Sequence, residues 1–220
     1  PQNLIAMTLL YIALKAIHEF SHALAVKTWG GEVHEMGISF LVFAPVPYVD
    51  ASAAWEFREK NKRILVSAMG ILAEVFIASL AIFMWLCLEP SMLKSTCLNL
   101  AIVASISTFL FNANPLLKFD GYYILQDAIE SPNLYARSKQ YCLYLIQRYI
   151  FGSEKVQNPA CDRGEGIWFV AYAPAAFVYR ISLLIIITLY LLDTFLIVGA
   201  LLATWSVYSQ IIKPGYNALV

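Results

Sequence analysis

From Ile64 to Leu88 the chain is apolar apart from one charge, Glu74. A spanning helix needs about 20 apolar residues to cross a hydrocarbon layer of about 30 Å. In that layer only helices and closed barrels satisfy the backbone. Three further runs are comparable: Leu4 to Trp29, Cys97 to about Phe111, and Trp168 to Lys213. The last would be roughly 70 Å long as one helix, at 1.5 Å per residue, so it must break. Asp193-Thr194 is the expected break, giving spans at 168–192 and 195–212. Composition agrees, with 60% hydrophobic residues, 14% charged and a mean hydropathy of +0.66 over 220 residues. A soluble domain is nearer half apolar and a quarter charged. The expected fold is an all-α integral membrane protein with about five transmembrane helices, forming one membrane-embedded domain over residues 1–220. The chain starts at Pro1 without Met or a signal-peptide pattern, so it reads as a fragment of a longer chain.

Between these runs the pattern changes. Gly30-Gly31 punctuates the first. Gly37 to Asp50 is too short to span, and Pro45 and Pro47 exclude a helix there; a short strand or re-entrant segment is expected. Ala54 to Arg63 reads as an interfacial helix. Residues 120–166 are mixed, and Leu134 to Ile150 fits an amphipathic helix at the membrane surface. Formal net charge is zero, which gives no support to nucleic-acid binding. Lys27, Arg58, Lys60, Lys62 and Arg63 crowd the loop after the first run. Lys118, Arg137, Lys139, Arg148, Lys155 and Arg163 follow the third, and Lys213 the last. Only Lys94 lies between the second and third runs. The positive-inside rule puts the first groups in the cytoplasm and Lys94 outside. Cys87 and Cys97 flank that outer loop, where a disulfide or two packed thiols are the alternatives. With Cys142 and Cys161 they show no C-x-x-C spacing, so they are poor zinc ligands.

The chemistry sits in the first run. His18-Glu19-Phe20-Ser21-His22 places two imidazoles at i and i+4, on one helix face about 5–6 Å apart. Such a pair can hold one Zn²⁺, with Glu19 beside it as general base toward a water. Ionisable groups at membrane depth are costly and usually functional. A hydrolytic zinc site wants three protein ligands and one open position. Asp120, the lone carboxylate between Cys97 and Gln126, is the natural third; the bland alternative is an N-cap for a helix from Gly121. Gly121 would permit a tight turn. Asn112-Ala113-Asn114-Pro115 stops the third run. His34 reads as a surface histidine. Glu74 reads as a buried hydrogen-bonded group or ion pair, with Arg180 as its partner, ahead of a gating role.

His18-Glu19-x-x-His22 with Asn112-x-x-Pro115-x-x-x-x-Asp120-Gly121 resembles the paired motifs of the site-2 protease family of intramembrane zinc metalloproteases. The likeness covers roughly residues 4–125. Asn114 stands where that family usually has Leu, and Lys118-Phe119 where it often has Pro-Leu. NANPLLKFDGYY is more similar to a bacterial branch of peptide zinc metalloproteases. The resemblance implies Zn²⁺ held by His18, His22 and Asp120, with Glu19 as general base. It implies Asn112 as a catalytic contact to substrate or oxyanion, although helix termination explains Asn112 equally well. It also implies a membrane-associated peptide or transmembrane substrate, the lipid bilayer, and a peptide-export or membrane-fusion protein as partners. The expected setting is a bacterial inner membrane, with the site opening toward the cytoplasm. Phe40 to Tyr48 offers a strand edge to hold substrate extended. The alternatives are a non-proteolytic component of a peptide-export assembly, for which Glu19 would be superfluous, and a metal-dependent transporter, which would need further intramembrane carboxylates or histidines.

Overall fold

The computed structural model describes residues 2–41, 44–149, 152 and 157–208. The chain divides into two compact units, Pro1–Leu134 and Tyr135–Val220. The first contains α1 (Gln2–Thr28), β1 (Met36–Leu41), β2 (Ala44–Val49), α2 (Lys60–Cys87), α3 (Met92–Ile106) and α4 (Asp120–Ala128). The second is built on α5 (Leu134–Tyr149), α6 (Arg163–Thr194) and α7 (Leu196–Val207). Four described helical segments are long and apolar enough to cross a membrane: Ile5–Thr28, Lys60–Cys87, Met92–Asn112 and Gly164–Thr194. The fifth expected span, at 195–212, begins with α7 but runs past Tyr208, and its last residues, with Lys213, lie outside the described residues.

In the first unit α2 packs against α1, α3 and α4, and α1 also meets α3 and β2. The buried stripe of α2 is Val66, Gly70, Glu74, Ala78 and Ala81. Its small residues bring helix backbones close, as membrane helices require where lipid supplies no hydrophobic drive. Two apolar clusters form along α1. Leu14 packs with Ala78 and Ala104. Further along, Ala25 and Val26 pack with Ala53, Ala54 and Val66. The helix turns between them carry Lys15, His18 and His22, all buried. Apolar packing on both sides keeps bulk water from this polar stretch, where low dielectric strengthens every electrostatic contact.

α1 stops where Gly30 adopts φ +78°. Gly30 N–H donates to the Lys27 carbonyl and Gly31 N–H to that of Val26, a Schellman cap that needs glycine in the left-handed conformation. The chain then enters an antiparallel hairpin, Met36 opposite Val49 through Leu41 opposite Ala44. The expected strand is thus two strands. Asp50 N–H donates to the Glu35 carbonyl at 2.9 Å, which marks 35/50 as a hydrogen-bonded pair. Alternation along the ladder makes 37/48, 39/46 and 41/44 hydrogen-bonded pairs too. Pro45 and Pro47 therefore turn their donorless nitrogens outward, the position in which a strand tolerates proline. Ala54 to Arg63 is not one interfacial helix. Ser52–Glu56 is a short 3₁₀ turn, and Lys60 to Arg63 already belong to α2.

In the second unit Asp162 caps α6, its carboxylate accepting from Glu165 N–H at 2.7 Å. Arg137 of α5 pairs with the Glu165 carboxylate and lies over the Phe169 ring. α6 ends at Thr194, and Phe195 alone separates it from α7. A Cβ at Gly199 would stand 2.5 Å from the Leu192 nitrogen. This glycine is what lets α7 fold back so tightly. The four cysteines are free thiols, so Cys87 and Cys97 form no disulfide.

Candidate metal centre

The i, i+4 spacing on α1 puts the His18 and His22 ring centroids 4.8 Å apart, with Nε2 to Nε2 at 3.1 Å. Asp120, in the first turn of α4, reaches the same point. Its Oδ2 is 3.0 Å from His18 Nε2 and its Oδ1 3.5 Å from His22 Nε2. The three residues each offer a donor atom, all within 4.8 Å of one another. Atoms about 2.0–2.2 Å from a tetrahedral zinc stand about 3.3–3.6 Å apart, close to this spread.

The outer nitrogens fix what the inner ones do. His22 Nδ1 is 2.7 Å from the Val66 carbonyl oxygen, which can only accept, so Nδ1 carries the proton. His18 Nδ1 is 3.0 Å from Glu74 Oε1 and donates likewise. A neutral imidazole has one N–H, so both Nε2 atoms turn lone pairs toward each other and toward a carboxylate. Asp120 Oδ2 is buried without a hydrogen bond. Converging lone pairs with no donor among them are what a cation requires. The side chains present therefore fit a zinc ion.

Two glycines make room. A Cβ at Gly70 would stand 2.5 Å from Nε2 of both His18 and His22. A Cβ at Gly121 would stand 2.5 Å from the Ala113 carbonyl. Gly121 lies inside α4 without a positive φ; its role is this close approach, not a turn. Nor does Asp120 cap the helix, since it is the first residue of α4 and Phe119 occupies the cap position.

Glu19 is half-buried and opens into a cavity of about 320 Å³ with His22 and Asp120. Val49, Trp55, Arg63 and Tyr123 also line it. The Val49 N–H faces the Glu19 carboxylate. It is the one outward-facing amide that the prolines leave on β2. Arg63 Nε binds Asp127 Oδ1 at 2.7 Å, joining α2 to α4 at the rim.

Asn112 lies elsewhere. Its Nδ2 spans both Glu74 oxygens at 3.0 Å, behind His18, and it does not line the cavity. Glu74 is fully buried and pairs with Lys15 Nζ at 2.7 Å. The sequence expectation of Arg180 is corrected: Arg180 lies over the Tyr135 ring in the second unit. Glu74 also accepts from Thr108 Oγ1 at 2.5 Å and Ser107 Oγ at 3.5 Å. Lys15, Gly70, Val66, Ser107 and Thr108 were not among the residues that the motifs singled out. Lys15 gave one signal, as the sole charge between Leu4 and Ile17.

Comparison with known proteins gives one partial likeness. The chain is 30% identical over 137 residues to YydH of Bacillus subtilis (strain 168), a protein provisionally named a peptide zinc metalloprotease. The matched stretch is 61% of this chain and 52% of that relative. The chain thus spans about half the relative's length. No family model matches the chain, and no solved structure matches it. The likeness supports a zinc-metalloprotease-like relationship.

Proposed function

We propose that the chain is an intramembrane zinc metalloprotease of the site-2 type that hydrolyses peptide bonds in membrane-associated substrates. The observation that carries this reading is the convergence of His18 Nε2, His22 Nε2 and Asp120, with Glu19 in the same cavity. A zinc ion held there supplies Lewis acidity to a water and to the scissile carbonyl. Glu19 takes the water's proton and later gives it to the departing amine. Val49 N–H faces the Glu19 carboxylate from the hairpin. The apolar clusters on either side exclude bulk water, and the free β1 edge of the hairpin suits an extended peptide. Asn112 serves the polar network behind His18 in this reading, since its amide is committed to Glu74. The substrate lies at a membrane, and the site faces the side rich in Lys and Arg.

A non-proteolytic role in a peptide-export assembly would leave Glu19 without work. The test separates the two. Glu19→Gln is expected to keep its zinc and to lose proteolysis by about 10²–10⁴-fold, the usual worth of a general base. Zinc content of the purified chain and the membrane-peptide profile of cells carrying either form are the readouts. Identical peptide profiles would rule out the protease reading.

A further inference from the structure

We infer that Glu74 is the positioning residue of the metal centre and Lys15 its counter-charge: together they fix the tautomer and direction of His18, and with them the affinity for a divalent cation. This rests on the zinc-site reading above.

The two histidines are anchored differently. His22 is held by a main-chain carbonyl, that of Val66. His18 is held by a side chain, Glu74. A carboxylate behind a ligating imidazole fixes which nitrogen faces the metal and raises that nitrogen's basicity. Glu74 has no surface exposure and does not line the cavity, so it acts through His18 and not on substrate. A carboxylate offers about four lone-pair sites. Lys15, His18, Thr108 and Asn112 supply four close donors, with Ser107 at longer range. The group is satisfied and has no freedom to turn away from His18.

The backbone is shaped around it. Ser107–Asn112 is a π-helical turn, in which Ala113 N–H reaches back five residues to the Thr108 carbonyl at 2.7 Å. This wider turn points Ser107, Thr108 and Asn112 at one carboxylate. Such turns are rare and often mark functional sites. Formal charges agree. Asp120 and Glu74 against Lys15 leave one excess negative charge in the buried set. A divalent ion reverses this by one unit, which Glu19 beside it offsets.

A merely structural ion pair would join α1 to α2 and leave the metal untouched. The full chain purified in detergent is loaded with zinc, and with cobalt(II) for its visible absorption. Glu74→Gln is expected to weaken zinc binding about 10–100-fold, the usual effect of losing an outer-shell partner, and to shift the cobalt bands. Lys15→Met combined with Glu74→Leu removes both charges without leaving one unpaired. This double variant should fold, and it should show the same weakened affinity and altered spectrum. It also decides the matter if the single variant does not fold. Wild-type affinity and an unaltered cobalt spectrum in the double variant would overturn the inference. A wild-type chain that takes up neither metal would instead overturn the zinc-site reading, and this inference with it.

Discussion

Gly70 of α2 lies flat against His22 of α1: a Cβ on that glycine would sit 2.5 Å from the imidazole nitrogen that faces the metal position. Gly70→Ala should therefore displace the ligands. Alanine favours a helix interior over glycine by roughly 1 kcal/mol, so weakening of α2 cannot explain a loss. The expected result is unchanged helix content by circular dichroism and zinc affinity lowered by at least about tenfold. Wild-type affinity in this variant would show that the two nitrogens are not where the metal binds.

Gly121 presents the same constraint against backbone. The atoms that its Cβ would strike belong to the main chain of Ala113 and Asn114, which cannot rotate aside. Gly121→Ala should push α4 outward and carry Asp120 with it. Overpacking of this kind costs about 1–3 kcal/mol. Thermal unfolding of the variant should fall accordingly, with zinc affinity reduced. A variant as stable as the parent would contradict the close approach.

Metal removal gives a third test. Three inward-facing acceptors without a donor repel one another when the cation is gone. Chelation should lower the unfolding midpoint by several degrees, and zinc at 100 times its dissociation constant should restore about 2.7 kcal/mol. Asp120→Ala should abolish that zinc-dependent gain. A midpoint insensitive to chelator would argue against a bound ion.

Much of this was legible because it is local. His18, Glu19 and His22 are joined by helical periodicity alone, and Asp120 by the scarcity of carboxylates near the end of α3. The break at Phe195 lies one residue past the expected Asp193-Thr194, although the glycine that permits it, Gly199, sits four residues further on. What escaped the sequence depends on which faces meet. Lys15 and Glu74 are 59 positions apart, and no spacing rule links them. Arg180 was a reasonable partner by charge, but it belongs to a separate unit. Gly70 read as one small residue among many in a span. Asn112 ended a helix as expected, yet only the π-helical turn decides that its amide points at Glu74 and not into the cavity.

The two prolines of the hairpin make it one-sided. Along the outer margin of β2 a passing peptide meets carbonyls but no amides until Val49, whose N–H faces Glu19. The outer margin of β1 keeps its full alternation of donors and acceptors at Met36, Ile38 and Phe40. A third strand can thus be added in register only beside β1. The hairpin is closed to growth on the side where an extra strand would smother the general base.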